Sequence, residues 1–267
     1  MKKFLSINEF SKLSGIGTTT LRYWDEIGLF SPVMRNPNNK YRYYAPPQII
    51  AVNFITVLGN LDIPLKTIDE VEAQRNPDTI IELIEQQEQL LNLERRRLQE
   101  ASAVIHIRRE LIKAGSRADP EKISVERLPE RMITLGPVNE SFTEESGFYL
   151  PFMNFCNRAQ ELHINLNYPI GGYHETFSSF VRTPSEPQHF FSLDPAGNKA
   201  WSAGDYLVGY QRGNYGEFGD SAERMAAYAT EHGLSCTGPV YVIYLHDEIC
   251  MADPDRYLSQ ISIKCAD

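Results

Sequence analysis

The sequence predicts a multi-domain protein with α and α+β parts. We expect an N-terminal winged helix-turn-helix, one long antiparallel dimerisation helix, and a C-terminal α+β domain of duplicated strand-helix-strand units with an antiparallel sheet. Three observations predict this fold class. Residues 1–45 combine short helix signals with a basic composition, residues 79–113 lack Gly and Pro and keep a seven-residue apolar repeat, and residues 123–267 alternate between strand-like and helix-like segments.

The chain of 267 residues is long enough for two domains besides the long helix. Its hydrophobic fraction of 42% is ordinary for a globular protein, no apolar run is long enough to span a membrane, and the N-terminus does not resemble a signal peptide. We therefore expect a cytoplasmic protein without a membrane partner. The predicted segments are a winged helix-turn-helix domain at 1–75, a coiled-coil helix at 76–115, a linker at 116–122 and a C-terminal domain at 123–267.

The charges are unevenly distributed along the chain. The formal net charge is −9, yet residues 1–45 hold seven basic and three acidic side chains, a net charge of +4. Residues 116–267 hold 11 basic and 21 acidic side chains, a net charge of −10. The N-terminal segment therefore favours a polyanion as its partner, whereas the C-terminal segment favours a cation.

Two short helices are predicted near the N-terminus. Ser6 and Glu9 form a capping box, so a helix should run over residues 7–13. The glycines of LSGIG break this helix, and Thr18 is expected to cap a second helix that extends to Glu26. Two short helices joined by a Gly-containing turn form a helix-turn-helix.

The second helix carries side chains that suit the major groove of DNA. Leu21 and Ile27 should face the core, which leaves hydroxyl, guanidinium and phenol groups on the outer face. Such groups donate hydrogen bonds to phosphates and base edges. The candidate DNA contacts on this helix are Thr18, Thr19, Thr20, Arg22 and Tyr23.

The segment VMRNPNNKYRYY alternates around a Pro-Asn-Asn turn and predicts a two-stranded wing. It interleaves basic and aromatic side chains, which suits contacts with phosphates. The candidate DNA contacts in the wing are Lys40, Tyr41, Arg42 and Tyr43. Two more helices follow, over about 47–60 and from after Pro64 through Glu72, and Lys66 near the start of the second is a further candidate.

The order of a helix, LRYWDEIGLF, an RYY wing, a helix pair ending in LDIPLKTIDEV and a long helix resembles the MerR family of bacterial transcription regulators. The resemblance covers residues 4–113. It implies DNA contacts by Thr19, Arg22, Tyr23, Arg42 and Lys66. The family usually has a Gly in the wing turn where Lys40 stands, so we expect Asn38 or Asn39 to adopt the positive φ instead.

The helix predicted at 79–113 must bury its apolar stripe against a partner. Apolar pairs recur at seven-residue intervals from Leu83 and Ile84 onward, and only the pair at Arg97 is half polar. Charged residues up to Glu94 are all acidic, whereas the second half is mainly basic. Parallel copies would place like charges together, so the charges favour an antiparallel homodimer. The alternative is an ordinary helix packed on its own domain.

Beyond Lys113, Gly115 and Pro120 are expected to end the long helix. The order strand, helix, strand then recurs in each half of the C-terminal domain, which suggests a duplicated unit and an antiparallel sheet. The predicted strands are 123–136, 168–177, 203–213, 238–247 and 257–265, the predicted helices are 148–162 and 220–232, and a Pro-rich loop spans 184–195.

The composition of the C-terminal domain indicates what it binds. Residues 116–267 carry 20 of the 29 aromatic residues as well as the acidic excess. Aromatic faces and carboxylates together suit a bulky hydrophobic cation, although most of these rings could instead belong to the core. The candidate ligand contacts are Tyr149, Tyr168, Glu175, Trp201, Tyr206, Val242, Tyr244 and Tyr257.

The segment GPVYVIYLHD and the duplicated pattern resemble the gyrase-inhibitor-like effector domain of MerR-type multidrug sensors. In relatives the strand after Gly-Pro carries a buried Glu that meets the cationic drug, and Val242 stands at this position here. Alternation puts Val240, Val242 and Tyr244 on one face, which the resemblance makes the pocket face. Without that carboxylate the pocket can take a cation through aromatic rings or through Glu175 or Glu217, or it can prefer a neutral ligand.

The sequence predicts neither catalysis nor metal binding, and no cofactor is expected. The six histidines are scattered, and no nucleophile elbow, phosphate loop or metal-binding helix motif is present. Metal sensors of the resembled family place a Cys where Thr79 stands at the start of the long helix. The spacing of Cys156, Cys236, Cys250 and Cys265 matches no metal site, so we expect reduced thiols.

The resemblance implies a ligand-responsive activator. Such a regulator binds a pseudo-palindromic promoter spacer as a homodimer and distorts the DNA when its ligand is bound, so that RNA polymerase can engage. Two alternatives from other classes stay open: a small-molecule-modifying enzyme tethered to DNA, and a ligand-independent architectural DNA binder.

Overall fold

The computed structural model describes residues 3–72, 74–139, 142 and 147–265. The chain divides into two compact units, residues 1–98 and 99–267, and the boundary lies inside the longest helix. Over the described ranges, none of the helices combines the length and the apolar character that crossing a membrane requires.

The first unit is a winged helix-turn-helix followed by a second pair of helices. In chain order its elements are β1 (Leu5–Ser6), α1 (Ile7–Ser14), α2 (Thr18–Glu26), β2 (Met34–Arg35), β3 (Arg42–Tyr44), α3 (Ile49–Gly59), α4 (Leu65–Glu72) and the first part of α5, which begins at Pro77. The strands lie in the order β1-β3-β2, and the β2–β3 pair is the predicted wing. A 3-10 turn at Pro46–Gln48 precedes α3.

The capping box predicted at the start of α1 is confirmed. The Ser6 amide donates to a Glu9 carboxylate oxygen at 2.9 Å, and the Glu9 amide donates to Ser6 Oγ at 3.4 Å. The helix then buries Phe10, whose ring stacks on Tyr44 of β3 with the centroids 4.7 Å apart. Burial of these two rings packs the helix-turn-helix against the wing.

The start and end of α2 differ from the prediction. The N-cap is Gly17 rather than Thr18, and the Gly17 carbonyl accepts the Leu21 amide at 3.0 Å. Leu21 is buried as expected, but Ile27 is 47% exposed because the helix has already ended at Glu26. Ile27 therefore does not belong to the core of this unit.

The wing turn also differs from the prediction. We expected Asn38 or Asn39 to adopt a positive φ, but Lys40 does so, with a φ of 58°. The Asn38 amide donates to Asn36 Oδ1 at 2.9 Å, and the Tyr41 amide donates to Asn39 Oδ1 at 3.1 Å. These side-chain hydrogen bonds fix the asparagines in their own local turns, so the left-handed conformation falls on the next residue.

The second unit combines the C-terminal part of α5, which ends at Arg117, with an eight-stranded antiparallel sheet. In chain order the further elements are β4 (Ser124–Leu128), β5 (Arg131–Val138), α6 (Tyr149–Arg158), β6 (Ile170–His174), α7 (Phe177–Arg182), β7 (His189–Ser192), β8 (Lys199–Trp201), β9 (Gly204–Arg212), α8 (Ser221–Glu231), β10 (Cys236–His246) and β11 (Leu258–Cys265). The strand order is β4-β9-β11-β10-β6-β7-β5-β8.

Four segments of this sheet were not predicted correctly, and one of them is β8, a short edge strand that lies outside all of the predicted strands. The region predicted as one strand at 123–136 forms two strands, β4 and β5. The strand predicted at 168–177 ends at His174, and Thr176 caps α7 by accepting the Ser179 amide at 3.1 Å. Strand β7 lies inside the predicted Pro-rich loop. Its short apolar run did not predict a strand because Pro184 and Pro187 stand just before it.

The predicted duplication is confirmed by the topology of the sheet. The first half contains β5, α6, β6 and β7, and the second half contains β9, α8, β10 and β11. In each half the third strand pairs with both the first and the second, giving the orders β5-β7-β6 and β9-β11-β10. The two halves join through their second strands, where Val242 pairs with Gly172.

Helix α5 is 41 residues long and extends beyond the predicted range at both ends. Gly115 does not end it. A Cβ at position 115 would lie 2.7 Å from Nε2 of His246, the last residue of β10. Glycine therefore permits close packing of the helix backbone on the sheet, and the low helix propensity of one glycine does not terminate so long a helix.

Both faces of the sheet are covered. On one face Tyr241 and Ile243 of β10 belong to the same core cluster as Leu111 of α5. On the other face Val240 and Val242 belong to a cluster with residues of α7 and α8. The alternation of side chains along β10 therefore distributes successive residues between two different environments.

The cysteine prediction needs a correction. Cys236 and Cys265 form a disulfide that joins β10 to β11, where the two residues are register partners. The sequence could not show this, since 29 residues separate them and only the strand pairing brings them together. Cys156 and Cys250 are free thiols, half-buried and exposed respectively.

Candidate functional site

The residues expected to contact DNA lie on three parts of the first unit: α2, the wing and α4. On α2, the exposed candidates are Thr19, Thr20, Arg22 and Tyr23. Thr18, the first residue of the helix, is half-buried. In the wing, Lys40 and Tyr41 are exposed, whereas Arg42 and Tyr43 are half-buried. Lys66, on α4, is exposed.

A buried carboxylate, Asp25, connects α2 to the wing, and the sequence analysis did not single it out. Arg35 Nη2 donates to both Asp25 oxygens at 2.7 Å, and Arg42 Nε donates to Oδ2 at 2.5 Å. The Asp25 side chain is fully buried. The two arginines come from opposite strands of the wing, so this cluster fixes the wing relative to α2.

The cluster changes what Arg42 can do. Its Nε–H is committed to Asp25, which leaves the Nη groups as donors to a phosphate. Burial by itself raises the pKa of Asp25, but the hydrogen bonds from Arg42 and Arg35 outweigh it and the pKa is lowered overall. The ionised carboxylate is therefore the form that the fold stabilises.

The second unit encloses a cavity of about 170 Å³ between the sheet, α6 and the loops that precede β7 and follow β9. A single water needs only about 10–15 Å³ of such space, so the cavity can hold an organic molecule. Aromatic rings dominate its wall: Phe148, Phe152, Tyr168, Phe190, Tyr215, Phe218 and Tyr244. Stacked and edge-on contacts join several of them, including Phe148 and Tyr215 at 6.0 Å between centroids.

Two carboxylates border this cavity just beyond the end of β10. Arg108 of α5 donates to Asp247 Oδ2 at 3.3 Å, and the Tyr215 hydroxyl donates to Glu248. Burial raises the pKa of Asp247, and its ion pair with Arg108 opposes this only in part. Glu248 is exposed. An aromatic wall with carboxylates at one end can hold a hydrophobic cation.

The structure brings only some of the candidate ligand contacts to the cavity. Tyr168, Val242 and Tyr244 line it. Trp201 and Tyr206 do not, because they belong to the core on the opposite face of the sheet, where each is 1% exposed.

The other three candidates lie outside the lining as well. Tyr149 is half exposed and its hydroxyl donates to Asn214 Oδ1 at 3.0 Å, while Tyr257 packs behind Tyr215 with its ring centroid 5.4 Å away. The Glu175 carboxylate lies on the surface, 3.7 Å from Nε2 of His189. The alternative acid, Glu217, accepts the Asn214 amide at 3.1 Å and does not line the cavity either.

Sequence reasoning missed the polar groups that do border the cavity. Asp247 and Glu248 follow directly after the apolar strand, and a run of acids at a strand end is an ordinary solvent-exposed pattern. Arg108 lies on the long helix, where charged side chains are common, and its guanidinium is bound to Asp247 of its own domain. Over the described ranges of the chain, no three His, Cys, Asp or Glu side chains are placed to hold a metal ion.

Comparisons of a family model, of curated sequences and of solved structures show which known proteins this chain is similar to. A family model described as MerR family regulatory protein matches residues 6–44. The multidrug-efflux transporter 2 regulator of Bacillus subtilis is 26% identical over 99% of this chain and 97% of its own length. The transcriptional regulator BrlR of Pseudomonas aeruginosa is 43% identical over 26% of this chain and 25% of its own. A solved structure, the EcmrR–DNA complex, covers 98% of this chain and 100% of that one at 17% identity, with a TM-score of 0.41.

The Asp25 cluster generates a prediction about acid stability. Its lowered pKa means that ionised Asp25 stabilises the folded state above about pH 4 and that this contribution is lost as the pH falls through the folded pKa. We expect Asp25→Asn to lower the free energy of unfolding at pH 7 by about 1–3 kcal/mol and to flatten its decline below pH 4. Urea unfolding followed by fluorescence in a Trp201→Phe background, where Trp24 is the one remaining tryptophan, measures both effects. Asp69→Asn, an exposed Asp of the same unit, is the control, and an unchanged acid profile in Asp25→Asn would contradict the assignment.

Proposed function

We propose that this chain, a MerR-family transcription regulator, binds promoter DNA as a homodimer and responds to a hydrophobic cation held in the cavity of its C-terminal domain. The relative that matches along the whole chain is named as a regulator of a multidrug-efflux transporter, which supports a regulator and not an enzyme. The observation that carries the ligand class is the aromatic cavity bordered by Asp247 and Glu248. Val242 stands where the resemblance implied a carboxylate, so in this proposal the negative charge comes from the end of β10.

The DNA surface comprises the exposed face of α2, the wing and Lys66. Arg22 and Tyr23 present exposed donors on α2, and Lys40 projects from the wing turn. In this proposal the hydroxyl groups of α2 contact base edges, and the cationic groups contact phosphates. The two Nη groups of Arg42 add donors beside the recognition helix, because Asp25 engages only its Nε.

Lys66 offers the simplest test of the phosphate contacts. Its side chain is 89% exposed and lies 3.8 Å from Glu70 on the same helix, so Lys66→Ala should not disturb the fold. We expect weaker binding to all DNA sequences and a salt dependence reduced by about one unit in the slope of log K against log salt. Lys122→Ala, an exposed lysine of the second unit, should change neither. An identical slope in Lys66→Ala and wild type would show that Lys66 does not contact a phosphate of the DNA.

The homodimer is proposed to form through α5. Ile84, Leu91, Leu98 and Ile105 recur at seven-residue intervals along this helix, and each is between 43% and 67% exposed. Such a stripe on a surface helix needs an apolar partner. The acidic first half and the basic second half of the helix favour antiparallel pairing with a second copy.

Cysteine cross-linking distinguishes the two pairing directions. In an antiparallel pair, position 84 of one copy lies near position 105 of the other, whereas in a parallel pair each position faces itself. In a Cys250→Ser background, we expect Ile84→Cys and Ile105→Cys to cross-link only when combined in one chain. Efficient cross-linking of either single variant would indicate parallel pairing, and no cross-link in any variant would reject α5 as the dimer contact.

The proposed ligand preference can be tested with a pair of ions of the same shape. Tetraphenylphosphonium and tetraphenylborate differ chiefly in the sign of their charge, so the carboxylates at the cavity should select the cation. At about 100 times its Kd the cation should stabilise the domain by about 2.7 kcal/mol, which thermal denaturation detects. The double variant Asp247→Asn, Glu248→Gln should lose most of this shift, and the exposed control Glu231→Gln should keep it. Equal shifts with both ions would contradict a charge-selective cavity.

Activation is proposed to follow from a change in the bound DNA. The ligand favours the dimer state that bends and untwists the promoter spacer. The size of this effect is set by how much more tightly the ligand binds that state than the state that leaves the DNA undistorted. Transcription in vitro with RNA polymerase, from the promoter of the chain's own gene, tests this step. Output should rise with tetraphenylphosphonium in wild type and not in the double carboxylate variant. Output independent of the cation would reject ligand-responsive activation.

A further inference from the structure

A second cavity lies on the opposite face of the sheet from the aromatic cavity, against the C-terminal third of α5. It is bordered by residues 106–114 of α5, by Arg131 and Met132 of β5, by Leu193 just beyond β7 and by Leu245 of β10, and we call it the α5 cavity. Its volume of about 400 Å³ is large enough for an organic molecule. Among the described residues the two cavities have no lining residue in common, and the proposed function does not use the α5 cavity.

Most of the wall of the α5 cavity is apolar. Leu111, Leu193 and Leu245 are buried, and Ile107 and Met132 beside them are half-buried. A ligand that covered these side chains would remove apolar surface from water. The wall therefore favours a molecule with an apolar body.

Arg131, at the start of β5, adds an unpaired charge to this wall. It is half-buried, and its guanidinium forms neither a hydrogen bond nor an ion pair with any of the described residues. Burial lowers the pKa of Arg131, and no carboxylate in the described part of the chain lies close enough to oppose this effect. Buried charges are normally paired in folded proteins, because removing an unpaired charge from water is costly. The other arginines of the second unit that lack an ion pair are all exposed: Arg117, Arg158, Arg182, Arg212 and Arg256.

The Trp201 ring holds the Arg131 guanidinium in place without using its donors. The two residues are register partners in β5 and β8, and Arg131 Cζ lies 5.4 Å from the centroid of the indole. Trp201 is itself fixed, because it is 1% exposed and stacks on Tyr241 with the centroids 4.2 Å apart. A cation over a ring is attracted by the π system, so the N–H groups at the edge of the guanidinium stay free. This planar fork is positioned for two parallel hydrogen bonds to a carboxylate.

The acidic side chains at the rim of the α5 cavity do not neutralise Arg131. Glu130 is exposed and forms no ion pair with it. The Glu110 carboxylate has cations of its own, since it accepts hydrogen bonds from Arg109 Nε at 3.2 Å and from Lys113 Nζ at 3.3 Å. The guanidinium is therefore available to an anion that enters the cavity.

The proposed dimer contact leaves this cavity open. The apolar stripe of α5 passes through Ile105, whereas Ala114 lines the cavity. Nine residues separate these positions, so their side chains lie roughly 180° apart around the helix. A ligand can therefore enter on the side of α5 that is remote from a partner helix.

We propose that the α5 cavity is a second ligand site, which binds an organic carboxylate with an apolar body. The carboxylate accepts two hydrogen bonds from the Arg131 guanidinium, and the body packs against Leu111, Leu193 and Leu245. This site selects the opposite charge from the aromatic cavity, and it does not depend on cation binding there. Because residues 106–114 form one of its walls, its ligand contacts α5 directly.

Two isosteric probes test this selection. Naphthalene-2-carboxylate and naphthalene-2-carboxamide have the same apolar body and nearly the same shape, but only the first carries a charge. The ratio of their Kd values therefore reports the interaction with the carboxylate. With the full-length protein in calorimetric titrations, we expect a preference of about tenfold for the carboxylate, as is typical of charge-assisted hydrogen bonds.

Variants assign the preference to Arg131 and the binding to the α5 cavity. Arg131→Met keeps an unbranched chain over Trp201 but has no charge, so the Kd ratio should fall to about one. Arg131→Lys keeps the charge without the planar fork and should retain part of the preference. Arg127→Met, at an arginine of β4 whose side chain is 79% exposed, should keep the full ratio. Ala114→Trp places an indole in the cavity and should weaken the binding of both probes at least tenfold.

Three results would overturn this inference. Equal Kd values for the two probes in wild type, or a preference that survives in Arg131→Met, would show that the guanidinium does not select a carboxylate. Unchanged binding in Ala114→Trp would show that the probes bind elsewhere on the protein. Absence of binding by either probe at millimolar concentrations would reject the site itself. No cationic ligand takes part in these titrations, so a failure of the proposed cation site would leave the inference standing.

Discussion

The two-residue period of the C-terminal sheet is the constraint on which the candidate ligand site depends. Both faces of this sheet are buried, so each strand sends alternate side chains into two separate environments. Phe190 lies on the cavity side and Phe191 in the opposite core, and Val242 and Tyr241 divide in the same way. A slip of one residue in the pairing of β10 with β6 would exchange the cavity lining for the core. The strand register thus specifies the chemistry of the cavity.

Much of the architecture could be predicted because its signals are local. The capping box of Ser6 and Glu9, the wing and the long helix each depend on residues close together in the sequence. The failures have non-local causes. The sequence around Gly115 predicts the end of a helix. In the structure the helix continues, and glycine is needed there because a side chain would collide with His246. Strand β7 was not predicted because it has only two apolar residues and follows a proline-rich run. It is held in the sheet by pairing with β5 and β6, which are distant in the sequence.

The lining of the candidate ligand site was less predictable than the fold. Alternation within one strand grouped Val242 with Tyr244, and both line the cavity. Alternation could not show which face of β8 or β9 would meet that cavity, so Trp201 and Tyr206 were candidates as aromatic residues although they belong to the core.

Through its ion pair with Asp247, Arg108 belongs both to α5, the helix proposed to form the dimer, and to the wall of the cavity proposed to bind the ligand. A cation bound beside Asp247 would share that carboxylate with a residue of α5. Thermodynamic linkage then works in both directions: if occupancy of the cavity changes the energy of an α5 arrangement, any event that selects this arrangement changes the affinity of the cavity by the same factor. The operator would thereby act as an effector of ligand binding, and the DNA-bound protein would have a different detection threshold from the free protein.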